Sequence, residues 1–230
     1  MPTITDAEFG EIVIKRQSLA KSVSLKIAPD GRLRVTMPVY APVVAAKMLI
    51  KTSRKQIREL VSKHQATFSY NENQQIGKSH HLLIHSTTKP STVKIIGTQI
   101  LAEINESESI KSAPVQQIIR DKILVALRKE AKGHLPRRLS FLAEKHGFSF
   151  SRCKITHASS RWGSCSSSGT ISLNIGMMNL PFELIDYVII HELCHTRYMN
   201  HSTAFWSEVA KFDPQYKIHR NELKKYSPHV

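Results

Sequence analysis

The sequence lacks the features that mark membrane and secreted proteins. No apolar run approaches the ~18–20 residues that a membrane-spanning helix needs, so we expect no membrane partner. The first residues, Met1–Asp6, contain neither a basic start nor an apolar stretch, which argues against a signal peptide. The chain has three cysteines, and three thiols cannot all pair. We therefore expect a cytoplasmic protein whose thiols are reduced.

Acidic residues are also scarce. The chain has 18 Asp and Glu against 33 Lys and Arg, a formal net charge of +15, and residues 1–150 hold 24 of the basic and 12 of the acidic side chains. A basic surface attracts polyanions, so nucleic acid bound through the basic N-terminal part is one expected partner. A solvated surface that serves only solubility is the other interpretation.

Hydrophobic patterning predicts an α+β protein in two parts. With 41% hydrophobic residues among 230, the chain can bury a core. Residues 1–105 form the predicted β-rich part, which includes a hairpin made of Ser22–Ile27, a turn at Pro29–Gly31 and Arg32–Met37. Residues 106–230 form the predicted catalytic part, with helical spacing up to Gly147, then short strands and a further helix after Pro181.

The pentapeptide His191-Glu192-Leu193-Cys194-His195 carries the clearest chemical signal. Histidines four residues apart on a helix differ by about 40° around the axis and ~6 Å along it, so both rings reach one metal ion. Glu192 lies ~60° from His195, which places it beside the metal but off the ligand face. That position suits a general base that acts on water.

A hydrolytic zinc site needs three protein ligands, and His201 is the expected third. On an unbroken helix His201 would lie ~9 Å beyond His195, so the helix must end between them. Asn200 tolerates the left-handed backbone that turns a chain out of a helix. Ser202 is a good N-cap for a second helix over Thr203–Lys211, with Phe205, Trp206 and Val209 facing inward.

These motifs together resemble a known family. They include Arg161–Ser166, Leu173-Asn174, Pro181, Ile185–Val188, His191–His195, Asn200–Ser202 and Phe205-Trp206. The chain resembles the YgjP-like family of predicted zinc metallohydrolases, which are relatives of the SprT-like and WLM zinc peptidases. The resemblance implies a zincin-like domain with a helical layer and a small antiparallel sheet, three histidine ligands for zinc and a catalytic glutamate. Those roles fall on His191, His195, His201 and Glu192.

Several other residues have two interpretations. Four side chains are open choices for stabilising an oxyanion: Arg161, His157, Arg197 and Tyr198. Asp186 either orients a ligand histidine or is a surface carboxylate. Arg161–Cys165 and Thr170–Asn174 are alternative strands for binding an extended substrate, or a core hairpin. We expect Cys194 to be a small buried residue and both tryptophans, Trp162 and Trp206, to be core anchors.

The predicted function is zinc-dependent hydrolysis of peptide bonds in a peptide or protein substrate. One alternative is a nucleic-acid-associated, SprT-like protease tethered by its basic part. The other is a non-enzymatic binding module that zinc stabilises, with Glu192 idle. Glu192 argues against that module, because purely structural zinc sites are usually closed by a fourth protein ligand.

Overall fold

A computed structural model describes residues 2–28, 32–67 and 70–230 of the chain. The turn predicted at Pro29–Gly31 lies outside the described residues. The strands are β1 (Thr3–Asp6), β2 (Gly10–Gln17), β3 (Ser24–Ile27), β4 (Leu33–Pro38), β5 (Gln75–Ile76), β6 (His80–Thr87), β7 (Thr92–Ile96), β8 (Gln99–Asn105), β9 (Arg152–Thr156), β10 (Gly163–Cys165) and β11 (Thr170–Asn174). The helices are α1 (Val43–Thr52), α2 (Arg54–Thr67), α3 (Ala113–His146), α4 (Phe182–Cys194), α5 (Thr203–Phe212) and α6 (Tyr216–Leu223).

The chain divides into two compact units. The first comprises residues 1–70 and 110–117, and the second comprises residues 71–109 and 118–230. Strands β5–β8 therefore belong to the second unit, together with most of α3. The domain boundary predicted after residue 105 stays a prediction.

The first unit is built on a four-stranded sheet with the order β1-β2-β4-β3. β3 and β4 are antiparallel, with Leu25 opposite Val35, so the strands of the predicted hairpin are confirmed. Alternation along β4 sends Leu33, Val35 and Met37 into the core, where they pack with residues of β2, α1 and α2. The apolar period of the sequence thus determines which face of the sheet is buried.

Helix α3 is the long central element of the second unit. Its apolar residues recur at helical spacing, and those fully buried include Ile123, Leu127, Leu135 and Leu139. The helix ends as predicted at Gly147, whose φ of 67° is in the left-handed region. The N–H of Phe148 then donates to the carbonyl of Ala143 at 2.8 Å, which satisfies one of the last free carbonyls of the helix.

Two sheets accompany α3 in the second unit. One has the order β5-β6-β8-β7, and the other has the order β10-β11-β9. β10 and β11 are antiparallel as expected, but β9 and β11 are parallel, with Ile155 opposite Leu173. The sheet is therefore mixed rather than purely antiparallel. β9 and β11 run in the same direction, and β10 runs in the opposite direction. Helix α4 packs against β10, β11, α5 and α6.

The α+β fold class is confirmed. Among the described residues, no helix has both the length and the apolar character to cross a membrane.

Candidate metal centre

Helix α4 and the turn after it position the predicted metal ligands. Pro181 precedes the helix, which runs through His191 and Glu192 and ends at Cys194, with His195 as the C-cap. The chain then turns within a few residues, and Ser202 caps α5 by accepting a hydrogen bond from the N–H of Phe205 at 3.4 Å. The helix break predicted between His195 and His201 is present, and it folds His201 back toward α4.

The three histidines come together in space. One ring nitrogen from each of His191, His195 and His201 lies within 4.8 Å of the other two. The Nε2 atoms of His191 and His201 are 3.2 Å apart. Two nitrogens bound tetrahedrally to zinc at 2.0–2.1 Å would be separated by about 3.3 Å. The donor type of the cluster, and the spacing of His191 and His201, therefore fit a zinc ion.

Hydrogen bonding and burial affect which ring nitrogens of these histidines are available to a metal ion. His195 Nδ1 lies 2.9 Å from the carbonyl oxygen of Tyr198, to which it donates, so its Nε2 stays available for a metal. His191 Nδ1 is buried, and none of the described residues hydrogen-bonds to it. Burial, together with repulsion from His195 and His201, lowers the pKa of His191 to about 3. Burial also lowers the pKa of His195, so both rings are neutral at pH 7.

Glu192 lies beside the cluster in an apolar environment. The residue is 6% exposed, and no described group hydrogen-bonds to its Oε2 atom. Burial raises the pKa of Glu192 to about 8, although the positive charge of Arg161 opposes part of that rise. The same burial makes the Glu192 carboxylate a stronger base than an exposed glutamate.

Strand β10 fixes where the Glu192 side chain can lie. A Cβ atom built on Gly163 would come within 2.7 Å of both Cγ and Oε1 of Glu192. Only glycine leaves room there for the carboxylate. Sequence reasoning missed this contact, because residues 163 and 192 lie on different elements and only the fold brings them together.

This close approach gives a test. Gly163→Ala should displace the Glu192 carboxylate and lower hydrolysis of an unfolded protein substrate by about 100-fold, the scale expected for misplacing a catalytic group by ~1 Å. The metal content should stay unchanged, because the histidines are not contacted. Gly133→Ala on α3 is the matched control, since a Cβ there meets open space. Full activity in Gly163→Ala would show that the position of Glu192 is not critical.

The four residues proposed to stabilise an oxyanion differ in the contacts that they make. Arg197 is used elsewhere, since it forms an ion pair with Glu208 and donates to the carbonyl of Gly147 at 2.6 Å. Tyr198 contributes its backbone oxygen to His195. His157 is half-buried between β9 and β10, while Arg161 is exposed and acts electrostatically on Glu192. Of these four residues, Arg161 is the one whose charge acts on Glu192, and its role at an oxyanion stays a prediction.

Three further expectations have clear outcomes. Asp186 forms a two-pronged ion pair with Arg138, at 2.7 and 2.5 Å, and no hydrogen bond between the described residues joins it to a histidine of the cluster. Cys194 is fully buried, as predicted. Thr170–Asn174 is the central strand of its sheet and pairs on both sides, which leaves β10 as the edge strand nearest Glu192.

Trp206 is not the core anchor that its apolar spacing predicts. It is half-buried and stacks on His201, with ring centroids 5.6 Å apart and planes at 27°. Phe205 is the buried member of the pair and stacks on His195 at 4.5 Å. The two rings therefore line one side of the histidine cluster. The other tryptophan, Trp162, is also half-buried rather than a core residue.

An α+β domain that brings three histidine rings together beside a buried carboxylate has the arrangement expected of a metallopeptidase. Comparison with protein families agrees: the model of the YgjP-like metallopeptidase domain matches residues 21–226. The chain belongs to the YgjP-like family. A comparison with curated proteins gave no significant match.

Two solved structures are similar to parts of the chain. The metallopeptidase zymogen abylysin from Pyrococcus abyssi is 28% identical, with a TM-score of 0.36, and the match covers 40% of this chain and 93% of that one. The metallopeptidase zymogen jannalysin from Methanocaldococcus jannaschii is 20% identical, with a TM-score of 0.36, over 40% of this chain and 94% of that one.

Proposed function

We propose that this metallopeptidase is a zinc enzyme in which His191, His195 and His201 hold the ion and Glu192 is the general base. The proposal rests on one observation: three imidazole nitrogens within 4.8 Å of one another, next to a buried carboxylate. Three ligands leave a fourth tetrahedral position for water or substrate. The chemistry that zinc supplies in such a site is activation of water and polarisation of a carbonyl oxygen.

The residues of the chain have distinct tasks in this scheme. Glu192 takes the proton of the attacking water and passes it to the leaving amine. Arg161, whose charge already acts on Glu192, stabilises negative charge that develops at the carbonyl oxygen. The free edge of β10 accepts an extended peptide by main-chain hydrogen bonding, which brings the scissile amide next to Gly163 and Glu192.

Dependence on metal is the direct test of the function. Purified protein should hydrolyse an unfolded protein such as reduced casein, lose that activity when zinc is removed by a chelator, and regain it when about one equivalent of zinc per chain is restored. Circular dichroism before and after chelation shows whether the fold persists. Activity that survives complete removal of metal would contradict the proposal.

A nucleic-acid-associated protease is the second candidate, and the charge of residues 1–150 favours it. Lys47 and Lys51 lie one turn apart on α1, and both are exposed. If this face contacts phosphates, Lys47→Gln/Lys51→Gln should lower the slope of log affinity against log salt by about 2 for duplex DNA of any sequence.

Lys217→Gln/Lys224→Gln, at one position on α6 and at its C-cap, removes the same charge from the other unit and should leave that slope unchanged. Fluorescence anisotropy with labelled duplex and single-stranded DNA makes the measurement. Absence of binding to both at low salt would leave the charge as an aid to solubility.

A further inference from the structure

Helix α6 brings an arginine to the metal centre from a part of the chain that no sequence motif marks. The guanidinium carbon of Arg220 lies 4.6 Å from the centre of the Trp206 ring. Trp206 in turn stacks on Tyr216, with centroids 5.5 Å apart and planes at 18°, and on His201. The cation is thus one aromatic ring away from the third histidine of the cluster.

Helix α6 packs against α4 on the side that carries His191. The Tyr187 ring of α4 lies 6.1 Å from the His191 ring and 6.2 Å from the ring of His219, the residue before Arg220, measured between ring centroids. Arg220 is therefore held on the side of α4 that faces the histidine cluster.

Arg220 is exposed, and it forms no ion pair within 4.0 Å with a carboxylate in the described part of the chain. The carboxylates nearest in sequence are engaged: Asp213 accepts from His219 at 2.7 Å, and Glu222 pairs with Lys225 at 2.8 Å. Arg197 shows the contrast, because its guanidinium is occupied by Glu208 and by the carbonyl of Gly147.

We propose that Arg220, supported by the Trp206 ring, is a specificity-determining residue that binds a substrate carboxylate beside the scissile amide. This inference rests on the proposed peptidase function. A guanidinium presents two parallel N–H donors that match a carboxylate, and an aromatic ring beneath it limits the freedom that binding would otherwise remove. The net charge of +15 also draws acidic substrates to the enzyme.

The carboxylate has two sources, an acidic side chain or the C-terminus of a peptide. Three sets of eight-residue, fluorescence-quenched peptides distinguish the two sources. The first set is neutral and has an amidated C-terminus. The second set adds one Glu to these peptides, at each position in turn, and the third is neutral with a free C-terminal carboxylate. Values of kcat/KM on the zinc-loaded wild type, Arg220→Gln and Lys217→Gln give the preference. Lys217→Gln is the control because it removes an equal charge from the same helix.

We expect wild type to favour one carboxylate-bearing set over the neutral set by roughly tenfold, the scale of one hydrogen-bonded charge pair. Arg220→Gln should abolish that preference while cleavage of neutral peptides stays within about twofold, and Lys217→Gln should keep it. Equal losses on all peptides would overturn the proposal, because they would make Arg220 a general contributor to catalysis. So would a wild type without preference, or a preference that persists in Arg220→Gln.

Binding provides a readout that does not depend on turnover. Anisotropy of the same peptides on zinc-loaded Glu192→Gln protein, with and without Arg220→Gln, should show the same preference in the dissociation constants. If no peptide is cleaved but the preference in binding depends on Arg220, the peptidase function fails and the carboxylate site stands. If binding shows no such dependence, the carboxylate site is wrong whatever the activity.

Discussion

Glu192→Gln should keep its metal and its fold while losing turnover of an unfolded protein substrate by ~10²–10⁴-fold, the range typical for loss of a general base. Glutamine has the size of glutamate and still fits against Gly163, but it cannot accept a proton at neutral pH. The side chain is buried without a hydrogen bond to Oε2, so replacing the carboxylate breaks no described contact of that atom. Zinc content, thermal unfolding and hydrolysis rate measured on one preparation give the comparison.

Glu183→Gln is the matched control, because Glu183 lies in the first turn of the same helix and is exposed. It should behave like wild type in all three measurements. Equal activity of wild type and Glu192→Gln would remove the general-base role. A wild type that binds zinc but hydrolyses no peptide or protein would favour the alternative in which zinc only stabilises a binding module.

The helix, turn and second helix that carry the histidines were predictable from sequence because their determinants are local. A helical period fixes the relation of His191 to His195, and Ser202 marks the start of α5 through its own hydrogen bond. The three histidines can bind one ion only if the helix ends between His195 and His201, and this requirement predicts the position of His201. Local geometry thus predicted that the three rings come together, while metal binding by them stays a prediction.

The surroundings of the cluster depend on contacts that no local pattern records. Gly163 approaches Glu192 only because β10 packs on α4, and Arg220 reaches the site only because α6 packs on the same helix. Trp206 illustrates the limit most clearly. The spacing of Trp206 on α5 places it near the buried side of that helix. How far its ring is covered depends on α6, and the ring is half-buried with Arg220 over it.

The mixed sheet was missed for a related reason. Alternation of apolar residues predicts a strand and its buried face, but it carries no information on the direction of the neighbouring strand. The two strands joined by the short Ser-rich turn are antiparallel, as a hairpin requires. The parallel partner β9 comes from before that hairpin, and its place is set by packing of the whole unit.

His201→Ala should weaken zinc binding by more than the roughly 10–100-fold that loss of an outer-shell partner costs, because it removes one of the three proposed ligands. Two acidic residues that follow it in the chain are already engaged: Glu208 forms ion pairs with Arg197 and Lys211, and Glu222 pairs with Lys225. Titration of zinc against a competing chelator measures the affinity. Unchanged affinity in His201→Ala would mean that the third ligand is another residue.

The same variant should also lose most of the stabilisation that zinc gives to the fold. A ligand that binds only the folded state at a hundred times its dissociation constant stabilises that state by about 2.7 kcal/mol. At that zinc concentration wild type should therefore unfold at a clearly higher temperature than its metal-free form, and His201→Ala should show little shift. His85→Ala is the control, since His85 is exposed on β6 outside the cluster, and it should respond to zinc like wild type. If zinc raised the unfolding temperature of His201→Ala as much as that of wild type, the stabilisation by zinc would not depend on His201. That result would contradict a ligand role for this histidine.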